Sequence, residues 1–310
     1  LIRTPIGNSY FQNTESCVRS FNIKTLFTEH TMKTQNGWQL DEDGPDIYEK
    51  HIVPAFSGAW AEDMVKRAQL KSGDRILDLA CGTGIVSRSA HEAMGSRVDL
   101  TCVDVNDTVL EKGRNICARD GMSISFHKGS AGALPLDDVS VDVVLCQQGL
   151  QYFTDQAKAL ADLVRVLVPS GRAVFSVWRP LEHSPFYQAL HRALDRYVNE
   201  TAAGMLAAAY SLGDPEKVRA LFTASGFEEI DIRLVIKQMH CPSINNFLAA
   251  GISAAPFAKD IAALPESRRK EMFTMILEES ACYMDDHGLA APMGSSVISV
   301  RKPQTRVPGT

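Results

Sequence analysis

The chain has 310 residues, 45% hydrophobic and 22% charged, an ordinary balance for a globular protein with a sizeable core, which excludes disorder as its main state. Thirty-two basic against thirty-seven acidic side chains give a net charge of −5, so there is no electrostatic footprint for nucleic acid. Apolar runs of about 7 residues are too short for a membrane span, which needs ~20, and seven scattered cysteines without a C-x-x-C pair read as reduced thiols in a cytoplasmic or other reducing compartment.

Residues 1–44 read as a polar N-terminal extension. Within residues 1–40, Arg3, Arg19, Lys24 and Lys33 outnumber Glu15 and Glu29, a faint sign of an organelle-import remnant. From residue 74 to 178, short β-branched runs alternate with helical patterns, which predicts a parallel sheet covered by helices on both faces. The predicted strands are 75–79, 98–103, 123–127, 141–146 and 172–178. Between them, Asn106 or Asp107 caps a helix burying Val109, Leu110, Gly113, Ile116 and Cys117, and Thr154 is the predicted cap of a helix burying Ala157, Leu160, Leu163, Val164 and Leu167. Asp214 and Pro215 start a further helix that Gly226 ends.

After residue 178 the pattern turns helical at about 180–210 and 243–286, interrupted by a strand at 227–236 and followed by one at 296–300. The expected architecture is one α/β domain over 45–301, a doubly wound, mostly parallel seven-stranded sheet with two helical insertions forming a lid. Residues 302–310 form a tail.

The most informative segment is Ile76-Leu77-Asp78-Leu79-Ala80-Cys81-Gly82-Thr83-Gly84, a buried strand running into a glycine-rich turn before a helix at about 85–94. Without a Cβ, Gly82 and Gly84 let backbone approach a ligand. Asp104 closes the second strand, where a carboxylate accepts hydrogen bonds from both hydroxyls of a ribose. Together they indicate a nucleoside cofactor. A dinucleotide site would need a third glycine where Ser87 stands, and the carboxylate of Asp78 would repel a pyrophosphate and suit a cationic amino group.

With these residues on the page, the chain resembles the class I methyltransferases that use S-adenosylmethionine, specifically the small-molecule group that includes the ubiquinone and menaquinone biosynthesis enzymes. The resemblance covers roughly residues 45–240 and rests on ILDLACGTG (76–84), VDV (103–105), KGSAGALPL (128–136), VDVVLCQQGLQYF (141–153) and RVLVPSGRAVFSVW (165–178). It implies a Rossmann-like fold and S-adenosylmethionine as cofactor, with S-adenosylhomocysteine as product. By position it implies that Asp78 holds the amino end, directly or through water, while Ala80, Cys81, Gly82 and Gly84 shape the turn. Asp104 would hold the ribose, Val105 the adenine face, Ser130 and Ala131 the adenine edge, and the Gln147 carbonyl the amino group. The family often has Asp where Ser130 stands, and Gly where Ala80 stands.

Methyl transfer from a sulfonium is an in-line displacement that depends mainly on positioning and a dry cavity. The catalytic candidates are Gln151, which sits where relatives often place His and acts by position, together with Tyr48 and His183 as titratable groups. Gln148, Tyr152 and Trp178 are candidates for holding the acceptor. No histidine or cysteine spacing indicates a metal. Met205, Tyr210, Phe247, Phe257, Met272, Phe273, Met275 and Tyr283 recur at near-helical spacing, the pattern of core packing, and a subset over the acceptor would favour a small molecule with an apolar portion. The expected state is a monomer or homodimer. The competing classes are an NAD(P)-dependent oxidoreductase, opposed by Asp78 and Ser87, and a catalytically silent binding protein of the same fold, opposed by the retained cofactor residues.

Overall fold

The computed structural model describes residues 44–253 and 255–304; most of the N-terminal extension, Cys17 and the end of the tail lie outside these. A helical run opens as α1 (Gly44–Ile47), passes through π-helical turns at Tyr48–Ser57 and continues as α2 (Gly58–Ala68). Pro54 lies inside the π segment and has no N–H to give an α ladder, so wider turns, with the Gly58 N–H donating to the Val53 carbonyl, accommodate it. The core then follows as β1 (Arg75–Leu79), α3 (Ile85–Met94), β2 (Asp99–Asp104), α4 (Asp107–Arg119), β3 (Ser125–Lys128), β4 (Val141–Gln147), α5 (Gln156–Val166) and β5 (Leu167–Trp178). The first insertion supplies α6 (Pro185–Tyr197) and α7 (Glu200–Ala208). Next come α8 (Pro215–Ala224), β6 (Glu228–Cys241), α9 (Ile244–Ser253), α10 (Ala258–Ala262), α11 (Glu266–Ser280), β7 (Met284–Asp285) and β8 (Gly288–Arg301).

The sheet order is β3-β2-β1-β4-β5-β8-β6, with β7 pairing β8 off that path. Every neighbouring pair from β3 to β5 is parallel, and β8 runs antiparallel to both β5 and β6. The seven-stranded expectation therefore holds for the main path, and the two-residue β7 is an added hairpin. The chain leaves β1 toward β2 and β3 on one side and returns to β4 on the other, so the topological switch point lies between β1 and β4, where α/β sheets open a ligand crevice. Alternate residues of β4 feed opposite cores: Val143 and Leu145 join one cluster, Val144 and Cys146 the other, as in a strand buried on both faces.

The predicted helix caps are mostly observed. Asn106 accepts from the Thr108 N–H at 2.9 Å and Asp214 from the Glu216 N–H at 2.9 Å. The cap predicted at Thr154 is wrong by one residue: Asp155 accepts from the Lys158 N–H at 2.9 Å, because its carboxylate is the stronger acceptor for an orphan amide. The shift rotates the buried stripe to Ala159, Leu160, Leu163 and Val166 and leaves Ala157 exposed. Asp214→Ala is expected to cost ~1 kcal/mol and lower the thermal midpoint by roughly 2–4 °C; an unchanged midpoint in a melting scan contradicts that role.

Both insertions pack into the same large cluster as α2 and α3, on one face of the sheet. Helix α6 buries Phe186, Ala189, Leu190, Ala193 and Leu194, the spacing of one helical face, and Arg192 ties it to Glu279 of α11. Of the Met and aromatic residues singled out above, Tyr210, Phe247, Phe257, Met272 and Phe273 are buried in this packing, whereas Met205 is exposed. Among the described residues, no helix is long and apolar enough to cross a membrane.

Candidate functional site

A cavity of about 760 Å³ opens at the carboxyl ends of β1, β2, β4 and β5, walled on its far side by the π-helical run and the inserted helices. One end of it is polar and built on the glycine-rich turn. After β1, Ala80 adopts φ 54°, Gly82 φ 55° and Gly84 φ 81°, so the backbone passes three times through the left-handed region. Glycine tolerates this freely, while alanine at 80 carries a cost of roughly 1–2 kcal/mol. Gly84 doubles as the cap of α3.

Asp104 lines the cavity at the end of β2. Its Oδ2 accepts from the Gly82 N–H at 3.0 Å and its Oδ1 from the Asn106 N–H at 3.0 Å. Burial raises its pKa, against the lowering effect of those backbone bonds. Each carboxylate oxygen keeps further acceptor capacity. Beside it, Val105 is 50% exposed, an apolar face left uncovered at the crevice, and Ser130 and Ala131 complete this end.

Asp78 is 1% exposed and does not line the cavity. Its Oδ2 accepts from both the N–H and the hydroxyl of Ser87, each at 2.9 Å. The missing third glycine thus has a positive reason, since a side chain is needed at 87 to hold Asp78. Its Oδ1 is buried with no hydrogen-bond partner. Burial pushes the carboxyl up to about 7, with the Ser87 bonds opposing and Asp104 adding to the rise.

The other end of the cavity is aromatic. Trp178, at the end of β5, packs edge-on against Trp60 at 5.8 Å and Phe56 at 5.9 Å, and lies near Tyr210 at 6.5 Å. Phe186, Tyr187, Phe247 and Phe257 continue the wall. Burial raises the pKa of Tyr187 and Tyr210. Tyr48 is also raised by burial, against a bond in which its hydroxyl donates to Ser57 Oγ at 3.0 Å. All of these hydroxyls are therefore protonated at neutral pH.

The amides of β4 and its following loop join the two ends. The Gln147 Nε2 donates to the Ser57 carbonyl at 3.0 Å. Gln148 sits at φ 53°, held by its Nε2 donating to Ser295 Oγ at 3.1 Å. Gln151 Nε2 donates to Gln148 Oε1 at 3.3 Å, while Gln151 itself does not line the cavity.

Of the site residues expected from sequence, Tyr48, Ala80, Gly82, Asp104, Val105, Ser130, Ala131, Gln147, Gln148, Tyr152 and Trp178 all line this one cavity. Asp78, Cys81, Gly84 and Gln151 support it from behind. His183 lies in a 3-10 turn with its Cβ against Gly294 and does not line the cavity, which removes the geometric basis for a base at that position. Cys81 Sγ approaches the Gly82 carbonyl at 3.5 Å. Sequence reasoning missed Phe56, Trp60 and Tyr187. The i, i+4 spacing of Phe56 and Trp60 was a usable signal, as was the Phe186-Tyr187 pair. Among the described residues, no group of three or more His, Cys, Asp or Glu is arranged to hold a metal ion.

Comparison with known proteins adds the decisive observation. The family described as Methyltransferase domain matches residues 76–171. The ubiquinone/menaquinone biosynthesis C-methyltransferase UbiE of Neisseria meningitidis is 30% identical over 195 residues, 60% of this chain and 80% of that protein. Its counterpart from Xylella fastidiosa is 31% identical over 187 residues, 56% of this chain and 74% of that protein. The chain belongs to the class I S-adenosylmethionine-dependent methyltransferases. The fold agrees: phosphoethanolamine N-methyltransferase 2 of Haemonchus contortus, solved in complex with S-adenosyl-L-methionine, superposes with a TM-score of 0.55 at 17% identity, over 85% of this chain and 58% of that one. This methyltransferase moves a methyl group from S-adenosylmethionine to a small-molecule acceptor.

The residues present fit that cofactor. The crevice over β1 and β2 offers a carboxylate with spare acceptor capacity, an uncovered valine face and a backbone turn free of side chains at Gly82. The orphaned Asp78 oxygen beneath it is a buried acceptor that suits a cationic group.

Proposed function

We propose that the methyltransferase binds the adenosyl part of its cofactor at the polar end of the cavity and a flat, largely apolar acceptor in the aromatic end. The observation carrying this reading is the division of one continuous cavity into a nucleoside-fitting polar end and a chamber walled by Trp178, Tyr187, Tyr210, Phe247 and Phe257. Asp104 holds the ribose hydroxyls, Val105 packs on the adenine, and Ser130 with Ala131 meets its edge. Asp78 attracts the cationic amino end from beneath the turn, through water, and Gln147 flanks that end from β4. The relatives' names refer to ubiquinone and menaquinone biosynthesis, and an aromatic wall of this kind is suited to a flat ring of that class.

When bound, S-adenosylmethionine supplies a methyl group already activated by a sulfonium. The protein's part is then to orient and to exclude water. The aromatic wall positions the acceptor ring face, and the carboxamide of Gln148, backed by Gln151, fixes a polar substituent near the junction of the two ends. The tyrosine hydroxyls of the wall stay protonated and act as hydrogen-bond donors. The displacement forms the bond between acceptor atom and methyl carbon and breaks the sulfur–methyl bond, leaving S-adenosylhomocysteine, and the proton lost by the acceptor atom passes to solvent at the open side of the cavity.

Calorimetric titration with S-adenosylhomocysteine tests the assignment. Asp104→Ala should weaken binding by roughly 1–3 kcal/mol through lost charged hydrogen bonds. Unchanged affinity in a variant that still folds removes the ribose assignment.

A further inference from the structure

Glu49 and Arg88 stand 39 residues apart in the chain yet form a nearly desolvated ion pair, with side chains 19% and 8% exposed. Arg88 Nη2 donates to both carboxylate oxygens of Glu49 at 2.9 Å, and its Nη1 donates to the Thr83 carbonyl at 3.2 Å. The Thr83 hydroxyl in turn donates to Glu49 Oε1. Thr83 is the residue between the two glycines of the cofactor turn, so all three groups close on the backbone that the cofactor approaches.

Glu49 belongs to the π-helical segment whose neighbours Tyr48, Ile52, Phe56 and Ser57 form a wall of the cavity. That wall spans the junction of the cofactor end and the aromatic chamber. π-helical turns are rare and occur mostly as single-turn bulges near functional sites, so the placement of this segment depends on its ties to the body of the protein. Besides the ion pair, these ties include the Gln147 amide donating to the Ser57 carbonyl and the Phe56 ring against Trp178, Tyr187 and Phe247, and just before the segment Lys112 of α4 donates to the Asp46 carboxylate of α1. An exposed ion pair would contribute little. In a largely buried one, here with Nη2 shared between both oxygens of Glu49 and Nη1 on the Thr83 carbonyl, loss of either partner strands a charge.

We propose that Glu49 and Arg88 are a positioning latch: together with Thr83 they hold the 48–57 wall against the glycine-rich turn, closing it over bound S-adenosylmethionine and opening for exchange with S-adenosylhomocysteine. Neither residue touches the reacting atoms. The latch rests on the cofactor placement proposed above. Its chemistry is specific, because the same guanidinium reads both the turn's carbonyl and the wall's carboxylate, so displacement of the turn is transmitted to the wall.

The test uses Glu49→Gln, Arg88→Met and the conservative Arg88→Lys in the full chain. Three quantities are followed: the S-adenosylhomocysteine dissociation rate by stopped flow, hydrogen exchange of residues 44–57 with and without that ligand, and the thermal midpoint without ligand. Glu49→Gln and Arg88→Met are expected to speed dissociation by about tenfold or more, with Arg88→Lys recovering most of the loss. Ligand-induced protection of 44–57 should disappear while protection of β1 and β4 persists. A lower ligand-free midpoint with unchanged dissociation and unchanged protection overturns the latch and leaves a purely structural ion pair. Unchanged values throughout overturn it equally. If Arg88→Met fails to fold, Glu49→Gln, which keeps the side-chain shape and a carboxamide oxygen able to accept from the Thr83 hydroxyl, decides alone. Failure of the unaltered protein to bind S-adenosylhomocysteine in the calorimetric titration described above instead overturns the cofactor placement, and is read separately from the three quantities followed here.

Discussion

Between pH 4 and pH 7 the ligand-free protein is expected to lose stability relative to its Asp78→Asn variant, by on the order of 4 kcal/mol in total. The cause is the carboxyl of Asp78, raised to about 7 in the fold by burial, from 3.8 as its ordinary value, with the two Ser87 bonds only partly offsetting this. A raised carboxyl binds its proton more tightly in the native than in the unfolded state. Its favourable contribution is therefore complete below the unfolded value and is lost as pH rises through the folded one. Asparagine mimics the protonated form and can still accept from Ser87, so the variant lacks this slope. Urea unfolding of both proteins at several pH values reads the difference; parallel slopes contradict the buried, neutral Asp78. Bound ligand with a cationic amino group should reverse the trend, because it favours the ionised carboxylate. Binding should then release protons near pH 6, measurable by calorimetry in buffers of different ionisation enthalpy.

Trp178→Ala is expected to destabilise the fold by about 3–5 kcal/mol and to impair acceptor binding at the same time. The indole is 8% exposed and meets Trp60, Phe56 and Tyr210, joining β5 to the N-terminal helices and to the end of the first insertion. Removing it enlarges a cavity that already exists, so the space left behind stays open to solvent, which favours the lower end of that range. Trp178→Phe keeps the edge-on contacts and should recover most of the loss. A cost below about 1 kcal/mol for the alanine variant in denaturant unfolding contradicts the part given to this ring.

The part of the site that was legible in the sequence is the part built from consecutive residues. Strand β1 and helix α3 begin and end where the apolar run and the glycine turn dictate, and the inward face of α4 contains the five residues that periodicity selects. Strands β6 and β8 proved longer than predicted because their ends are held by pairing with each other, from Glu228 opposite Arg301 to Cys241 opposite Leu289. Pairing of that kind is invisible in either strand alone.

The aromatic residues of the late helices show the limit more sharply. Tyr210, Phe247 and Phe257 line the cavity, while Met272 and Phe273 are packed in the core behind it. Helical spacing identifies a buried face but not what that face is buried against. The Glu49–Arg88 pair lay beyond reach for the same reason, since two charges 39 residues apart carry no local pattern. Ser87 was legible only as a missing glycine, and its positive role, orienting Asp78, needed the fold.

The most direct test of the account is a crystal structure of the protein with S-adenosylhomocysteine. The expected result has both ribose hydroxyls within about 2.5–3.0 Å of the Asp104 carboxylate, the adenine on Val105 beside Ser130 and Ala131, and the sulfur facing the chamber of Trp178, Tyr187 and Phe247. A nucleoside bound away from Asp104, or a sulfur turned from that chamber, contradicts it.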